Sequence, residues 1–488
     1  MVARHRTPVG RARPLMAAVC TAILAGCAAG PDFVPPAPVA DTRYTPAPQP
    51  TATAQADGPG GAAQRFVQTD EIGGGWWHSF GSPALDRLVQ EALDASPTLV
   101  QATMRLEQAR EDYRAQGGTL WPQVELSLNA ARERPSTAAI AGGTFFGNRT
   151  IPAFTLLQAH VNVAYTLDLS GLDRRTLEGL SALVDYQASE LDAARLTLAA
   201  NVVTGAVQRA SLAAQIDLSE RLLDVQAHQL RIAQDRLRAG GIAETDVLSQ
   251  RTQVEQTEAS LAPLRAQLAQ ADHQLAVYLG RTPAEGTPPP PSLDALLLPT
   301  EVPVTLPSAF ARQRPDIRAA EALLHQASAN VGVATANLYP QVTLSASAGS
   351  VGNAASQLSS VWSIAAGLTQ PIFRGGTLRA RQRSAQDAYE VALATYRQTV
   401  LQGLQQVANA LQALQEDADQ LSALERAHRD AEAAARIARG RQEAGGASVL
   451  AVLEAQRQEL QAALERTRAH SRRLADTAGL YQALGARP

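Results

Sequence analysis

Two patterns of hydrophobic and polar residues divide the chain. In short segments the apolar and polar residues alternate with a period of two, which predicts strands with one apolar and one polar face. The first segment begins at Gln123, its return ends at Leu169, and a matching alternation begins at Gln341. These segments are about 9 to 11 residues long, and a strand of that length spans a bilayer when it is tilted by about 45°. We therefore predict two β-hairpins, at residues 122–169 and 340–372.

The second pattern places apolar residues at alternating spacings of three and four, which predicts helices packed side by side as in a left-handed coiled coil. About 65 residues without proline begin at Leu172 and again at Thr377, and at 1.5 Å per residue each stretch extends about 95 Å as a helix. We predict long helices over residues 172–280 and 377–485. One heptad seam consists of Leu261, Leu264, Leu268, Ala271, Leu275 and Tyr278, and another of Leu404, Val407, Leu411, Leu414, Ala418 and Leu421.

The chain also contains an internal duplication. The residues that follow Pro97 match those that follow Pro315 at a constant offset of 218, whereas later blocks match at an offset of 205. The first copy therefore carries about 13 additional residues, which we place between residues 131 and 160 because that stretch has the composition of a loop. We predict a first repeat at 71–300 and a second at 301–488, each made of a helix, a β-hairpin and long helices.

Composition excludes several classes of function. All 43 basic residues are arginine, so the chain has no P-loop lysine and no Schiff-base lysine. Four of these arginines precede residue 27, and without them 39 arginines stand against 46 acidic residues, a balance opposite to that of a nucleic-acid-binding protein. The histidines are scattered and match no catalytic or metal-binding motif. We predict that the protein is not an enzyme and has no catalytic residue, metal site or cofactor.

The amino terminus has the layout of a secretory signal peptide. Basic residues are followed by a short apolar stretch that is too short to span a membrane, and the stretch ends in Leu24-Ala25-Gly26-Cys27, which looks like a lipobox. The other cysteine, Cys20, lies in the part that would be removed. We predict a signal peptide at 1–26, lipidation of Cys27 and an extended, lipid-anchored tether at 27–70. The alternative is an ordinary signal peptide with a coincidental cysteine.

The number of predicted strands has a consequence for assembly. The smallest barrels that span a membrane use about eight strands, and open strand edges are not tolerated in hydrocarbon. Four strands per chain therefore require oligomerisation if they insert. Trp121 and Tyr339 stand just before the first strand of each hairpin, where interfacial aromatic residues lie in membrane proteins. The alternative for each hairpin is an ordinary half-buried hairpin of a soluble protein.

Five motifs stand out along the chain: Cys27 to Phe33, Trp76-Trp77-His78-Ser79-Phe80, Leu338-Tyr339-Pro340-Gln341, Gln370 to Gly376, and Val449 to Gln456. They resemble motifs of one known family, the TolC-type outer-membrane efflux factors, and in particular their lipoprotein (NodT-like) branch. The resemblance implies a mixed, mainly α fold with β structure. Four strands per chain would form an outer-membrane β-barrel of 12 strands in a homotrimer, continuous with a long periplasmic α-helical barrel.

The same resemblance implies what the protein does and what it contacts. The family conducts drugs or other small toxic compounds passively from an inner-membrane RND-type pump and a periplasmic adaptor (membrane fusion protein) to the exterior. The expected location is the outer membrane of a Gram-negative bacterium, with a lipid anchor at Cys27, contact with outer-membrane lipid and a large periplasmic portion. No contact with nucleic acid is expected.

The resemblance also implies a closable end at the turns between the long helices. Asp246, Leu450 and Glu454 match family positions that line this periplasmic gate, and one acid per chain becomes a three-fold ring in a trimer. The chain departs from some members at Ala451, where a second acid would stand. The alternative for the two acids is a solvated helix face or a helix N-terminal acid. The helix-turn glycines are Gly240, Gly241, Gly445 and Gly446.

Two other readings of the chain remain open at this point. An outlet of a type I protein-secretion system shares the fold, and its cargo would be a protein instead of a small compound. A lipid-anchored periplasmic coiled-coil scaffold would explain Cys27 and the heptads, but it would not explain two matched amphipathic hairpins.

Overall fold

The structure is a computed structural model that describes residues 28–37, 43–48, 50–69, 72–134, 152–353 and 358–487. The predicted signal peptide at 1–26 and the predicted lipidation site, Cys27, lie outside the described residues. Most of the predicted insertion between residues 131 and 160 also lies outside them, at residues 135–151.

The described residues form eight α-helices and six β-strands, so the predicted mainly α fold with antiparallel strands is confirmed. The strands are β1 (Arg65–Gln68), β2 (Gln123–Glu133), β3 (Phe154–Leu167), β4 (Glu301–Val304), β5 (Gln341–Gly352) and β6 (Leu358–Thr369). The helices are α1 (Pro83–Ala95), α2 (Pro97–Gly117), α3 (Leu172–Arg238), α4 (Glu244–Tyr278), α5 (Pro307–Gln313), α6 (Pro315–Ala336), α7 (Thr377–Glu443) and α8 (Val449–Ala483).

The long helices match each other in pairs. Helices α3 and α7 have 67 residues each, and α4 and α8 have 35 residues each. Both pairs begin and end 205 residues apart, which is the offset seen in the sequence. The heptad seam of α7 is buried, as its spacing predicts, with Leu414, Ala418 and Leu421 fully inaccessible to solvent.

The chain forms two compact units, and each contains parts of both predicted repeats. The sheet unit contains the described residues up to Pro35 and those within Glu107–Asp185 and Glu321–Thr395. The helical unit contains the described residues within Pro36–Leu106, Tyr186–Ala320 and 396–487. These units do not coincide with the predicted repeats, and the division into repeats stays a prediction.

The sheet unit contains an antiparallel sheet with the strand order β2-β3-β5-β6. Each predicted hairpin is present, and β3 pairs with β5 to join the two hairpins into one sheet. Strand β3 ends at Leu167, two residues before the predicted end. The next residue, Asp168, accepts hydrogen bonds from the backbone N–H groups of Asp173 (3.2 Å) and Arg174 (3.0 Å), so it caps α3 instead of extending the strand.

The helical unit has an aromatic core that begins in a short 3₁₀ helix, Trp76–Phe80. The Trp76 ring stacks on Tyr481 of α8 with 5.1 Å between the ring centroids, and Phe80 is fully buried. Strand β1 pairs with β4 in parallel, which ties the segment before the 3₁₀ helix to the segment that precedes α5. The motif of two tryptophans and a phenylalanine therefore serves packing within this unit.

The segment that was predicted to be an unpacked tether is extended but packed in both units. In the helical unit, the fully buried guanidinium of Arg473 donates hydrogen bonds to the carbonyls of Gly60 (2.8 Å) and Ala62 (2.9 Å) and to the hydroxyl of Thr53 (2.8 Å). The proline-rich composition correctly indicates an extended chain. It does not show that side chains far along the sequence supply the hydrogen bonds that hold this chain in place.

Candidate functional site

One face of the four-stranded sheet has central rows that are apolar from edge to edge. The pairing register brings the apolar positions of all four strands onto this face, and many of them are exposed in the chain: Leu126 by 69%, Leu128 by 74% and Ile364 by 79%. A continuous exposed apolar surface marks a site of contact with lipid or with another protein. One row across this face reads Val124, Val163, Ala346 and Ile364, and the next reads Leu126, Val161, Ala348 and Trp362.

The opposite face of the sheet carries small polar side chains. The amide nitrogen of Asn162 donates a hydrogen bond to the Ser127 hydroxyl at 3.0 Å, and the hydroxyls of Ser347 and Ser363 lie 2.9 Å apart. Hydroxyl and amide groups keep this face compatible with water. A sheet with one apolar and one wet face is suited to separate hydrocarbon from an aqueous passage.

Both edges of this sheet are open in the described chain. Strands β2 and β6 each pair on one side only, because they are the first and last strands in the sheet order. Their outer N–H and C=O groups therefore have no strand partner among the described residues. In a membrane such groups require partners, since each unsatisfied backbone group costs several kcal/mol in hydrocarbon.

The predicted interfacial aromatics are exposed and stand next to the strands. Trp121 is 72% exposed and Tyr339 is 51% exposed, and they precede β2 and β5 by two residues. Two aromatic residues that the sequence analysis did not select are more exposed: Trp362 within β6 and Phe373 after it. Large apolar residues alternate with small ones along the return strand of the second hairpin, and Trp362 is one of the large ones. This alternation was the signal that could have identified Trp362 as an exposed residue of the apolar face.

The two turns that join the long helices have the same backbone geometry. Gly240 and Gly445 have φ angles of 74° and 76°, in the left-handed region that glycine favours. The N–H groups of Gly241 and Gly446 donate to carbonyls five residues earlier, at 2.8 Å and 2.7 Å. These bonds form the Schellman arrangement that ends many helices. In each pair the first glycine supplies the conformation and the second supplies the bonded amide.

The predicted gate residues Asp246 and Leu450 lie in the first turn of the helices that follow these turns. Asp246 is exposed, and its carboxylate accepts a hydrogen bond from the backbone N–H of Ala243 at 3.3 Å. This is the contact expected of an acid at a helix N-terminus, one of the two readings of the sequence. Leu450 is half-buried near the start of α8.

Glu454, the third predicted gate residue, is paired within its own helix. The Arg457 guanidinium donates to both carboxylate oxygens, at 3.0 Å and 2.5 Å, and the Gln458 amide donates to one of them at 3.2 Å. The hydrogen bonds from Arg457 lower the pKa of Glu454 below its usual range. Glu454 is therefore charged but locally balanced, whereas Asp246 makes its contact with a neutral backbone group.

A cluster of buried ionisable groups in the helical unit was not found by sequence analysis. Burial raises the pKa of Asp417 to about 7, and the neighbouring Asp476 carboxyl acts in the same direction. Burial lowers the pKa of His470 to about 4 and that of Arg473 to about 10. When only the sequence is known, a charged residue in a helix is interpreted as exposed to solvent. No local signal therefore identifies this cluster.

Among the described residues, no helix is both long and apolar enough to cross a membrane. Within those residues, no group of three or more His, Cys, Asp or Glu side chains is placed to hold a metal ion.

The two-faced sheet with open edges and the paired long helices define a protein of the outer-membrane channel class, and comparison with known proteins identifies its family. The chain belongs to the outer membrane efflux protein family, whose sequence model matches residues 88–281 and 306–486. The two matched segments fall in different predicted repeats. This is a family of outer-membrane transport channels.

Relatives of similar length support the same assignment. The chain is 32% identical over 416 residues to the pyoverdine export outer membrane protein OpmQ of Pseudomonas aeruginosa, covering 84% of this chain and 86% of that protein. It is 30% identical over 487 residues to the probable efflux pump outer membrane protein TtgC of Pseudomonas putida, covering 96% and 95%. It is 27% identical over 446 residues to nodulation protein T of Rhizobium leguminosarum bv. trifolii, covering 89% of each.

Solved structures show the same fold. The outer-membrane channel OprN is similar with a TM-score of 0.79 and 29% identity, over 94% of this chain and 99% of that chain. The open state of the Neisseria gonorrhoeae MtrE outer membrane channel is similar with a TM-score of 0.78 and 26% identity, over 94% and 99%.

Proposed function

We propose that this protein is the outer-membrane channel component of a tripartite efflux system and that it conducts small toxic compounds passively to the exterior. The single observation that supports this most directly is the sheet, because it combines one lipid-compatible face, one wet face and two open edges. Membership of the outer membrane efflux protein family supports the same role. The relatives are named for export of pyoverdine and for efflux of toluene and antibiotics.

The channel would be a homotrimer. Three chains would contribute 12 strands, with β6 of one chain pairing with β2 of the next, so that a closed β-barrel satisfies every outer backbone group. The long helices would continue this barrel as an α-helical barrel in the periplasm. In detergent we expect a trimer by light scattering, and a band on denaturing gels that shifts to the monomer only after heating. A monodisperse monomer that conducts ions by itself would contradict this proposal.

The energy for transport would come from its partners, since the family conducts without catalysis. We propose that a periplasmic adaptor delivers substrate from an inner-membrane pump of the RND type, in line with relatives that are outer-membrane proteins of efflux pumps. Expression in an efflux-deficient strain should lower drug accumulation only when the adaptor and pump are expressed with it. Lowered accumulation by the channel alone would contradict a tripartite mechanism, and export of a protein cargo would favour the secretion outlet.

We further propose that Cys27 is acylated and anchors the mature chain to the outer membrane. The lipobox and the single mature thiol support this assignment. Mass spectrometry of the amino-terminal peptide from purified outer membranes should find acyl groups on Cys27 and no residues before it. An amino terminus at another residue would contradict the proposal.

The gate would be formed at the turns by Asp246, Leu450 and Glu454 of three chains. Because Arg457 balances Glu454, Asp246 would supply most of the uncompensated negative charge. The double variant Asp246→Ala/Glu454→Ala should raise single-channel conductance in planar bilayers, and Asp246→Ala alone should reduce cation selectivity more than Glu454→Ala. Glu258→Ala, an exposed acid farther along α4, is the matched control. Unchanged conductance and selectivity would remove both acids from the gate.

A further inference from the structure

The residues directly after Cys27 are held against the sheet unit by a buried arginine. The Arg175 side chain, in the first turn of α3, is only 5% exposed. Its guanidinium donates to a carboxylate oxygen of Asp32 at 2.7 Å and to the carbonyl of Ala29 at 3.1 Å. Since a buried charge is costly unless it is paired and hydrogen-bonded, the segment supplies partners that Arg175 requires.

A second pair of residues holds the other end of this segment. Glu178 accepts from Arg175 at 2.7 Å through one carboxylate oxygen, and its other oxygen lies 3.0 Å from Nε2 of His325 in α6. The His325 ring stacks on Phe33, with 4.3 Å between ring centroids and 12° between the planes. One carboxylate therefore orients both the guanidinium and the imidazole that receive the segment.

The backbone of the segment also approaches α6 very closely. Gly30 has a φ of +90°, and a Cβ on it would lie 2.5 Å from the Cα of Gly332. A Cβ on Gly332 would lie 2.8 Å from the Arg175 side chain. Both positions exclude any larger residue without movement of the neighbouring backbone or side chain. We name Arg175, Glu178, His325 and Gly332 the amino-terminal cradle.

The segment also contacts the short connection between β3, a strand of the sheet, and α3. The N–H of Ala29 donates to the carbonyl of Ser170 at 2.8 Å, and Ser170 lies between the end of β3 and the start of α3. Ordering a backbone costs conformational entropy, so contacts at this many points indicate that the segment is fixed in place and is not a flexible tether. The contacts point to a defined position for the chain that bears the anchor.

We propose that the amino-terminal cradle is a docking site for residues 28–33, which holds the acylated Cys27 at the end of the membrane sheet and so couples lipid insertion to insertion of the sheet. The inference rests on the proposed lipidation of Cys27. Arg175 acts as a positioning residue, because it would act on the lipid through the segment that it contacts at Ala29 and Asp32. The lipid would then guide assembly of the channel as well as retain the chain at the membrane.

Mobility of the segment tests the docking itself. Val34 is 75% exposed, so a nitroxide on Val34→Cys reports motion without entering the cradle. Its spectrum should be broad in the parent protein and should sharpen with Arg175→Gln, Gly30→Ala or Phe33→Ala. Arg110→Gln, which removes an exposed arginine of α2, and Gly118→Ala, where a Cβ meets nothing within 4 Å, are the controls. A sharp spectrum in the parent protein would overturn the proposal.

A double-mutant cycle tests the coupling to the lipid. The second background carries Cys27→Ser behind a signal peptide cleaved by signal peptidase I, so the chain is exported without acyl groups. Arg175→Gln should lower the yield of heat-modifiable trimers about fivefold in the acylated background and have little effect in the other, because only the first has a lipid to position. Equal losses in both backgrounds would mean that Arg175 serves stability alone and would overturn the proposal.

Two further measurements separate the ways in which this proposal can fail. Phe33→Ala changes the segment and leaves all four cradle residues unchanged. A loss of trimers caused by this variant in the same cycle therefore cannot be attributed to misfolding of the protein around a substituted Arg175. Mass spectrometry of the amino-terminal peptide identifies a chain without acyl groups, which would refute the proposed lipidation and this inference together. An acylated chain with equal losses in both backgrounds would refute the cradle's role and leave the proposed function intact.

Discussion

The apolar face of the sheet and the heptad seam of α7 carry the same kinds of side chain in opposite surroundings. Leu126 on the sheet is 69% exposed in the chain, whereas Leu421 in the seam is fully buried. Both positions follow a regular apolar period, so periodicity identifies the face that avoids water. It does not identify what covers that face: the seam is covered within its own chain, and the sheet face requires lipid or other chains.

The largest expected effect tests the buried side of this comparison. Leu421→Ala should lower the free energy of unfolding by about 2 to 5 kcal/mol, because it leaves a cavity in a closed core. Leu401→Ala removes the same atoms from a position of α7 that is 67% exposed, and it should cost about 0.5 kcal/mol or less. Thermal unfolding followed by circular dichroism in detergent compares the two variants. A large loss at Leu401 would mean that another chain covers it.

The next largest effect tests the exposed side. Leu128→Arg should cost about 2 to 4 kcal/mol of stability in the membrane, the cost of a cationic residue on a lipid face near the midplane. Asn129→Arg, one position along β2 and on the opposite face, should cost little, because that face contacts water. Heat-modifiable trimers in outer-membrane fractions measure both variants. Equal losses would contradict the assignment of the two faces.

The buried ionisable cluster of the helical unit should make the stability of the protein depend on pH. Burial raises the pKa of Asp417 to about 7, so the folded state binds a proton more strongly than the unfolded state does. The contribution of Asp417 to stability should therefore fall as the pH rises from the ordinary carboxyl range to about 7, with a slope of up to about 1.4 kcal/mol per pH unit. Buried His470, whose pKa is lowered to about 4, contributes in the opposite direction between that value and the ordinary histidine pKa of about 6.5. The groups that face Asp417 are Asp476, Arg472 and Arg473.

Substitution of Asp417 by its neutral analogue tests this effect. Asp417→Asn should remove the fall in melting temperature that Asp417 causes as the pH rises towards 7, and should leave the rise that His470 causes below about pH 6.5. Asp430→Asn, at an exposed position of the same helix, should leave the pH profile of the parent protein as it is. A profile of Asp417→Asn that is the same as that of the parent protein would assign the effect to another group.

The smallest expected effect compares the two helix turns. Ser448 caps α8 by accepting from the N–H of Ala451 at 3.2 Å, while Ala243 stands at the same place before α4 with no side chain to do so. Ser448→Ala should lose about 1 kcal/mol and Ala243→Ser should gain a similar amount, since the two caps have nearly the same backbone angles. Hydrogen exchange at the first amides of each helix measures the change. A gain for Ser448→Ala or a loss for Ala243→Ser would contradict the equivalence of the turns.

The sequence predicted the ends of the long helices closely. The proline-free stretches of about 65 residues that begin at Leu172 and Thr377 form helices α3 and α7 of 67 residues each, which end at Arg238 and Glu443. The reason is local: proline is absent until glycine pairs interrupt the helices, and helix termination depends on neighbouring residues. The start of β3 at Phe154 was not predicted, because the segment before Val161 does not alternate regularly.

By itself, then, the sequence determined the two hairpins, the long helices, the apolar faces and the family motifs, because each depends on residues a few positions apart. It did not determine the short strands β1 and β4, which pair with each other across more than 200 residues. The tertiary structure alone decided the partners of buried charges and the path of the amino-terminal segment. Asp32 and Arg175 are 143 residues apart, and Thr53 and Arg473 are 420 apart. Hydrogen bonds over such separations depend on where whole helices lie, and no local pattern of residues encodes that position.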